Sequence, residues 1–366
     1  VRILVAPDKF KGSLDAREVA DNIAAGLRDV LPDAIIATVP VADGGEGTAS
    51  AISQARGGEK LICAARDALG REISAEYFWL GDRATAVMEM SAAAGLWRIA
   101  PEERDLLRAD TFGVGEMITD ASRRGAKEIL IGLGGSATND GGFGMAQALG
   151  FRFLANEHQI EKPAELVNLA RIEKPARPTP ITIVAAVDVR NPLLGPRGAT
   201  RTFGPQKGAT TEQLELLEAA LKRLADVAAN DLGSDFRDTP GAGAAGGLGF
   251  GLMTFCGATI RSGFDLVAEV IGLEAAIAQA DVVITGEGRL DDQSLEGKAP
   301  AGVARLAKQA GKRVFAIAGS AGGGAAVRAL FDDVLVLARW PITPEQSIAR
   351  ASELLQERAR ELAGMM

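Results

Sequence analysis

Histidine is almost missing from this chain, and its scarcity excludes more chemistry than any other feature of the composition: one residue among 366. That residue, His158, lies in Asn156-Glu157-His158-Gln159, which reads as a solvated surface loop with nothing nearby to orient the ring as a base. A Ser-His-Asp triad and a multi-histidine metal centre are therefore excluded, and acid–base work falls to Asp, Glu or Lys. Cysteine is scarce as well. Cys63 and Cys256 cannot build a disulfide framework, which points to a reducing cytoplasm, and their apolar surroundings read as inert packing. No apolar run reaches the roughly 18 residues of a membrane span, and Val1-Arg2-Ile3-Leu4-Val5-Ala6-Pro7 is too short and too quickly polar for a secretory signal. Acidic groups outnumber basic ones, 48 to 40, for a net charge of −8 without a dense Lys/Arg tract. Nucleic acid and anionic membranes are poor partners for such a surface.

Glycine is what the chain has in excess. Its 44 glycines are about 12% of the residues, against a usual share of about 7%. The 47% apolar content is ordinary for a globular protein. A chain of this length should bury about three quarters of its unfolded surface, and two domains are the natural expectation.

Hydrophobic periodicity places the elements. Residues 2–6 read as a strand ended by Pro7-Asp8. Ser13 fits as the N-cap of a helix whose apolar positions are Leu14, Val19, Ile23, Leu27 and Val30. A second strand, 35–41, ends at Asp43-Gly44-Gly45 and feeds a helix near 47–55, a βαβα start that favours a parallel sheet. In the middle, 72–80 alternates, with Ile73, Ala75, Tyr77 and Trp79 on one face. It turns at Gly81-Asp82-Arg83 into 84–90 as an antiparallel hairpin. Strands at 128–133 and 181–187 follow, the latter after Pro-rich 173–180, and helix 211–228 carries leucines at 214, 217, 221 and 224. Strands at 281–285, 313–318 and 333–338 then alternate with helices near 298–310 and 345–363. The expected fold is α/β: a Rossmann-like parallel-sheet domain from 1–60 and 270–366, an inserted mixed α/β domain from 61–269, and an interdomain cleft for the ligand.

In open α/β sheets, ligands bind beyond the carboxyl ends of the strands. Nearly every predicted strand here ends in glycine, carboxylate or lysine. The ends are Asp8-Lys9-Phe10-Lys11-Gly12-Ser13, Asp43-Gly44-Gly45, Gly134 to Gly142, Asp188-Val189-Arg190-Asn191, Gly286 to Asp292 and Gly319-Ser320. Glycine-rich turns let backbone N–H groups close on phosphate oxygens, carboxylates at such turns hold Mg²⁺, and lysines neutralise a transferring phosphoryl group. Together these parts suggest phosphoryl transfer, although glycines also make turns and aspartates also cap helices.

The standard nucleotide motifs do not explain the pattern. Gly297-Lys298 is followed by Ala299 and lacks the earlier glycine of a P-loop. Gly241-Ala242-Gly243-Ala244-Ala245-Gly246 matches the dinucleotide spacing but follows no strand, and reads instead as a mobile loop at the cleft.

The assembled segments resemble the bacterial glycerate kinase family of the type that phosphorylates the 2-hydroxyl. The landmarks are Ala6 to Leu14, Pro40 to Thr48, Gly134-Gly135-Ser136-Ala137-Thr138-Asn139-Asp140-Gly141-Gly142, Phe203-Gly204-Pro205-Gln206-Lys207-Gly208 and Thr285 to Asp291. Several long segments in the right order, running to about residue 320, are far more specific than one short motif. The resemblance implies ATP-dependent phosphorylation of D-glycerate to 2-phosphoglycerate with Mg²⁺, by two α/β domains around a cleft.

Physical reasoning distributes the roles. Asp188 ends a wholly apolar run, so burial would tune it as the base that takes the hydroxyl proton. Asp43 and Asp291 compete for that role and for Mg²⁺. Lys9 and Lys11 would face phosphate or the substrate carboxylate, which Arg190 would grip in bidentate fashion. Substrate and phosphate contacts are expected from Ser13, Asp43, Gly44, Gly45, Gly134, Gly135, Ser136, Thr138, Asn139, Asp140, Gly286, Glu287 and Gly288. Two readings from other classes stand beside this one: a nicotinamide-dependent oxidoreductase of a small hydroxy acid, and a non-catalytic small-acid-binding protein. The expected setting is cytoplasmic. Oligomeric state has no sequence signal.

Overall fold

A strand that is apolar at every position needs cover on both faces, and Ile3-Leu4-Val5 sets that requirement at once. The computed structural model describes residues 1–81, 84–177, 181–292, 298–322, 324–339 and 341–366. Asp82 and Arg83 of the expected turn, 178–180 of the Pro-rich stretch and Gly297 lie outside them. In chain order the strands are β1 (Arg2–Val5), β2 (Ile35–Thr38), β3 (Glu59–Arg66), β4 (Glu72–Leu80), β5 (Thr85–Glu89), β6 (Glu128–Gly132) and β7 (Arg152–Ala155). They continue with β8 (His158–Gln159), β9 (Arg171–Glu173), β10 (Thr182–Val187), β11 (Thr259–Ser262), β12 (Val282–Leu290), β13 (Arg313–Ala321) and β14 (Asp333–Val336).

The chain forms two compact units. The first comprises Val1–Asp43, Ser50–Ala55 and Phe264–Met366. Its sheet is wholly parallel in the order β14-β13-β12-β1-β2, with Val5 opposite both Ile284 and Thr38. Alternate residues point to opposite layers. Ile3, Val5, Ile284 and Ile317 pack with Val19, Ile23 and Leu27 of helix Ala16–Val30 and with Leu354 and Leu355 of helix Ala351–Ala363. Leu4, Ala6, Val283 and Ala316 pack on the other side with Phe264, Ile277 and Val303. This is the expected doubly wound, Rossmann-like sheet, in the flavodoxin-type order whose switch point falls between β1 and β12.

Local chemistry moved several boundaries. The first helix is capped by Asp15, not Ser13: Asp15 Oδ1 accepts from the Glu18 N–H at 2.8 Å and Glu18 Oε2 accepts from the Asp15 N–H at 2.9 Å. That reciprocal box satisfies two end groups at once, while Ser13 sits in the turn closed by the Phe10 N–H on Leu14 O at 2.9 Å. The helix expected at 345–363 is two, Pro344–Ala349 and Ala351–Ala363, parted at Arg350. β12 runs on to Leu290 instead of ending at 285. A Cβ on Gly286 would meet Ile317 O at 2.1 Å, and one on Gly319 would meet Gly288 O at 2.4 Å, so these glycines allow close strand approach rather than marking a strand end.

The second unit comprises Gly44–Ala49 and Arg56–Gly263. Its main sheet has the order β11-β10-β6-β5-β4-β3, parallel from β11 to β5 and antiparallel from β5 to β3. The hairpin expected from the alternating stretch is β4–β5, with Phe78 opposite Val87 and with Ala75 and Tyr77 buried. A small antiparallel sheet, β8-β7-β9, stands apart from it. Helix Thr211–Leu232 starts at a Thr210–Gln213 capping box and buries Leu217, Leu221 and Leu224. His158 is exposed in β8, Cys63 is buried and Cys256 half-buried, both free thiols.

Candidate active site

In the first unit, Glu287 within β12 comes together with Asp8 and Asp43, on the segments that follow β1 and β2. The chain leaves β1 through Ala6 and Asp8, whose N–H groups donate to Ile284 O at 2.7 Å and Gly286 O at 2.8 Å. That ladder sinks Asp8 to 8% exposure at the sheet's switch point. Burial, then the neighbouring charge of Asp43, raise its carboxyl to about 8, with Glu287 adding to the rise and Lys9 opposing it. Glu287 is itself buried, with Lys298 Nζ 4.0 Å from its Oε2. Asp8 stood in the strand-end series without being counted as a candidate. Its signal was the position just after an apolar strand, which marks a carboxylate at the sheet's end without telling whether it is buried.

Other predicted residues of this unit divide. Lys9 is half-buried and Lys11 exposed, both on the segment after β1. Ser13 is turned to another task, its Oγ donating to Ile348 O at 3.2 Å. Gly286 serves the β12–β13 approach, and Gly288 lies against the Lys11 backbone, where a Cβ would come within 3.3 Å of Lys11 N. Asp291 is held by Arg289 Nε at 3.1 Å. Among the described residues no group of three or more His, Cys, Asp or Glu is arranged to hold a metal ion.

In the second unit, the turn after β6 carries the other half of the predicted set. Gly44 and Gly45 pack on it: a Cβ on Gly134 would lie 2.6 Å from Gly45 Cα, and one on Gly44 would lie 2.7 Å from Gly263 Cα. Glu89 Oε1, at the end of β5, fixes the same segment by accepting from the N–H groups of Gly47 and Ala49 at 2.9 and 3.0 Å. Gly135 is left-handed, with φ of +68°. The N–H groups of Gly134, Gly135 and Ser136 donate to nothing among the described residues, whereas Ala137 N–H is taken by Ala94 O at 2.9 Å.

Asp140 does not face a ligand. It is fully buried and its oxygens accept from the N–H groups of Thr111, Gly142 and Gly144 and from the Thr111 hydroxyl, at 2.7–3.1 Å. Burial raises its carboxyl against those bonds; its role is to hold the turn. Asn139 Nδ2 donates to Thr200 Oγ1 at 3.0 Å, and Thr138 Oγ1 and Asn139 Oδ1 are buried without a partner among the described residues. Behind the turn lies Lys207, which sequence reasoning quoted only as part of a segment. No local pattern distinguishes a buried lysine between Gln206 and Gly208 from a solvated one.

Asp188 follows β10, the strand paired with β6, but it is exposed, so the burial expected to tune it is not there: the apolar run ends one residue before the side chain leaves the core. Arg190 is exposed too and forms no ion pair among the described residues. Gly241–Gly246 is no mobile loop: residues 241–250 are all buried. A Cβ on Gly246 would lie 2.0 Å from Thr138 O, and Gly141 N–H donates to Gly246 O at 3.0 Å. Those glycines exist so that a helix start can back the 134–142 turn, not to meet a dinucleotide.

A family model described as the glycerate kinase family matches residues 3–366. The chain belongs to the glycerate kinase family. It is 42% identical over 370 residues to a glycerate kinase of Bacillus subtilis, spanning 99% of this chain and 97% of that one. It is 43% identical over 365 residues to a glycerate 2-kinase of Escherichia coli, at 98% and 93% coverage. A crystal structure named for glycerate kinase 2, from Salmonella typhimurium, matches with a TM-score of 0.88 at 43% identity, over 100% of this chain and 98% of that one. As a member of the glycerate kinase family the chain is a phosphotransferase, and the oxidoreductase and non-catalytic readings fall. The burial of Gly241–Gly246 removes the feature that suggested the former.

Proposed function

We propose that this kinase transfers the γ-phosphoryl group of ATP to the 2-hydroxyl of D-glycerate, giving 2-phosphoglycerate and ADP, with Mg²⁺ and in a cytoplasmic setting. The observation that carries the reading is the full-length likeness to a glycerate 2-kinase, joined to a glycine turn whose N–H groups are unspent among the described residues. No helix among the described residues is long and apolar enough to cross a membrane.

In this reading positioning and charge supply most of the acceleration. The N–H groups of Gly134, Gly135 and Ser136, with Gly44 and Gly45 packed beside them, receive phosphate oxygens. Arg190 grips the glycerate carboxylate, Lys9 and Lys11 offset phosphoryl charge, and Asp188, on the strand next to the turn, takes the hydroxyl proton late in the transfer. Asp8 is the competing proton acceptor. For the metal, Asp43 supplies hard oxygen donors beside Asp8 and Glu287, whereas the Arg289 pair on Asp291 fits the metal role less well. Mg²⁺ commonly takes one or two protein carboxylates, the remainder coming from phosphate and water, and when bound it shares the phosphate charge.

The test is ADP release from MgATP with a panel of hydroxy acids, the product resolved by ³¹P NMR. D-glycerate-dependent release and a 2-phosphoglycerate resonance are expected. A 3-phosphoglycerate product would overturn the regiochemistry, and release indifferent to D-glycerate would overturn the substrate.

A further inference from the structure

Lys207 is 3% exposed, yet the partners of its ammonium are neutral: Nζ donates to Ser136 Oγ and to Thr138 O, each at 2.7 Å. Among the described residues it forms no ion pair. Two charged groups lie close in the fold. Asp140, in the same turn, has its oxygens spent on Thr111, Gly142 and Gly144. Arg104, whose Cβ would lie 3.4 Å from a Cβ on Gly208, donates to Gln206 O at 3.5 Å. A buried ammonium without a counter-ion is expensive to keep, and burial lowers this one to about 7, with Asp140 opposing. Beside it, among the described residues, Thr138 Oγ1 and Asn139 Oδ1 are buried without a partner and three backbone N–H groups of the same turn are unspent. An anion at the turn would accept from the three N–H groups and from the Thr138 hydroxyl, whereas Asn139 Oδ1, itself an acceptor, calls for a donor.

We infer that Lys207 is a positioning residue for ATP, fixing the 134–142 turn from behind so that the N–H groups of Gly134, Gly135 and Ser136 stand as one anion-binding set. The inference rests on the proposal that this turn receives the phosphates. Lys207 acts through Ser136 and the Thr138 carbonyl, and its positive charge favours an anion at the turn over an empty one.

The experiment is steady-state kinetics of Lys207→Met, with its melting temperature measured alongside. Methionine replaces a buried charge with a similar apolar volume, which cores commonly tolerate. A folded variant whose KM for ATP rises at least tenfold, with KM for D-glycerate within twofold, supports the inference. A merely structural lysine would lower the active fraction, and with it kcat, while leaving both KM values in place; that result would overturn it. Should Lys207→Met fail to fold, Ser136→Ala removes one acceptor of the ammonium, and a threefold or larger rise in KM for ATP alone is expected, an unchanged value counting against the inference. Gly135→Ala separates the two levels by adding a methyl group at the exposed lip of the turn. If it raises KM for ATP and Lys207→Met does not, only the role of Lys207 fails. If neither moves that KM, the phosphate reading of the turn fails with it.

Discussion

At the scale of the residue, the proposed reaction has two candidate carboxyls for the hydroxyl proton. Asp188 stands in the open at the end of β10, and Asp8 lies buried at about 8 beside Asp43. A base contributes roughly 10²–10⁴-fold, so Asp188→Asn is expected to lower kcat at least 100-fold. Because an exposed side chain carries little of the fold, its melting temperature should stay within a degree or two. Turnover within threefold of the parent would remove Asp188 from the role. Asp8→Asn makes the complementary measurement, since asparagine resembles the protonated carboxyl that prevails at pH 7: near-parental turnover there is expected, and a loss matching that of Asp188→Asn would transfer the base to Asp8. The sequence made strand-end chemistry legible because residue type and position after an apolar run are local facts. It did not make exposure legible. Asp188 and Asp140 both follow apolar strands, yet one points to solvent and the other is wrapped in four hydrogen bonds, and Lys207 is buried by elements far from it in the chain.

At the scale of the element, hydrophobic period recovered most strands but fewer of the helices, several of them short, and three misreadings share a cause. Glycine breaks local patterns, so the sequence alone presents Gly286, Gly241 and Gly246 as ends or loops. In the structure Gly286 and Gly246 stand where another backbone, at Ile317 O and Thr138 O, comes too close for a Cβ, and Gly241 is left-handed with φ of +90° and the Ile260 and Val187 side chains against it. Local reading assigns glycine to turns, whereas tertiary approach is a fact about two elements at once. Gly26 makes the point testable. It sits in the interior of helix Ala16–Val30, where alanine would ordinarily be better by about 1 kcal/mol. A Cβ there, however, would lie 2.3 Å from Gln356 O and 2.9 Å from Ala359 Cβ in helix Ala351–Ala363. Backbone cannot move aside as a side chain can, so the helix pair must part, and overpacking of this kind costs about 1–3 kcal/mol. Gly26→Ala is thus expected to lower the urea midpoint, and a raised midpoint would show that propensity, not packing, governs this position.

At the scale of the whole molecule, the buried carboxyls should leave a signature in stability against pH. Burial is the first cause of the raised values of Asp8, to about 8, of Asp110, to about 7, and of Asp140. The unfolded chain titrates these groups near 4, so between about pH 4 and 8 the folded chain holds more protons than the unfolded one. Stability from these groups is then full below about pH 4 and is lost as pH rises through 7–8. The exposed pairs work the other way, since Arg201 holds Glu215 low and Lys222 and Arg237 hold Asp226 low. Their contribution is already complete above about pH 5, where the unfolded carboxylates are ionised as well. Lys207, lowered to about 7, adds stability only from there towards its unfolded value near 10. From pH 5 to 8 the balance is therefore set by the raised carboxyls, and the melting temperature of the parent should fall across that interval. Asp110→Asn isolates one term, because the amide oxygen can still accept from the Phe112 N–H, which lies 2.8 Å from Asp110 Oδ1. The variant is expected to match the parent near pH 4 and to exceed it by a few degrees at pH 8 in calorimetry. Parallel curves for variant and parent would show that Asp110 ionises without cost in the folded chain.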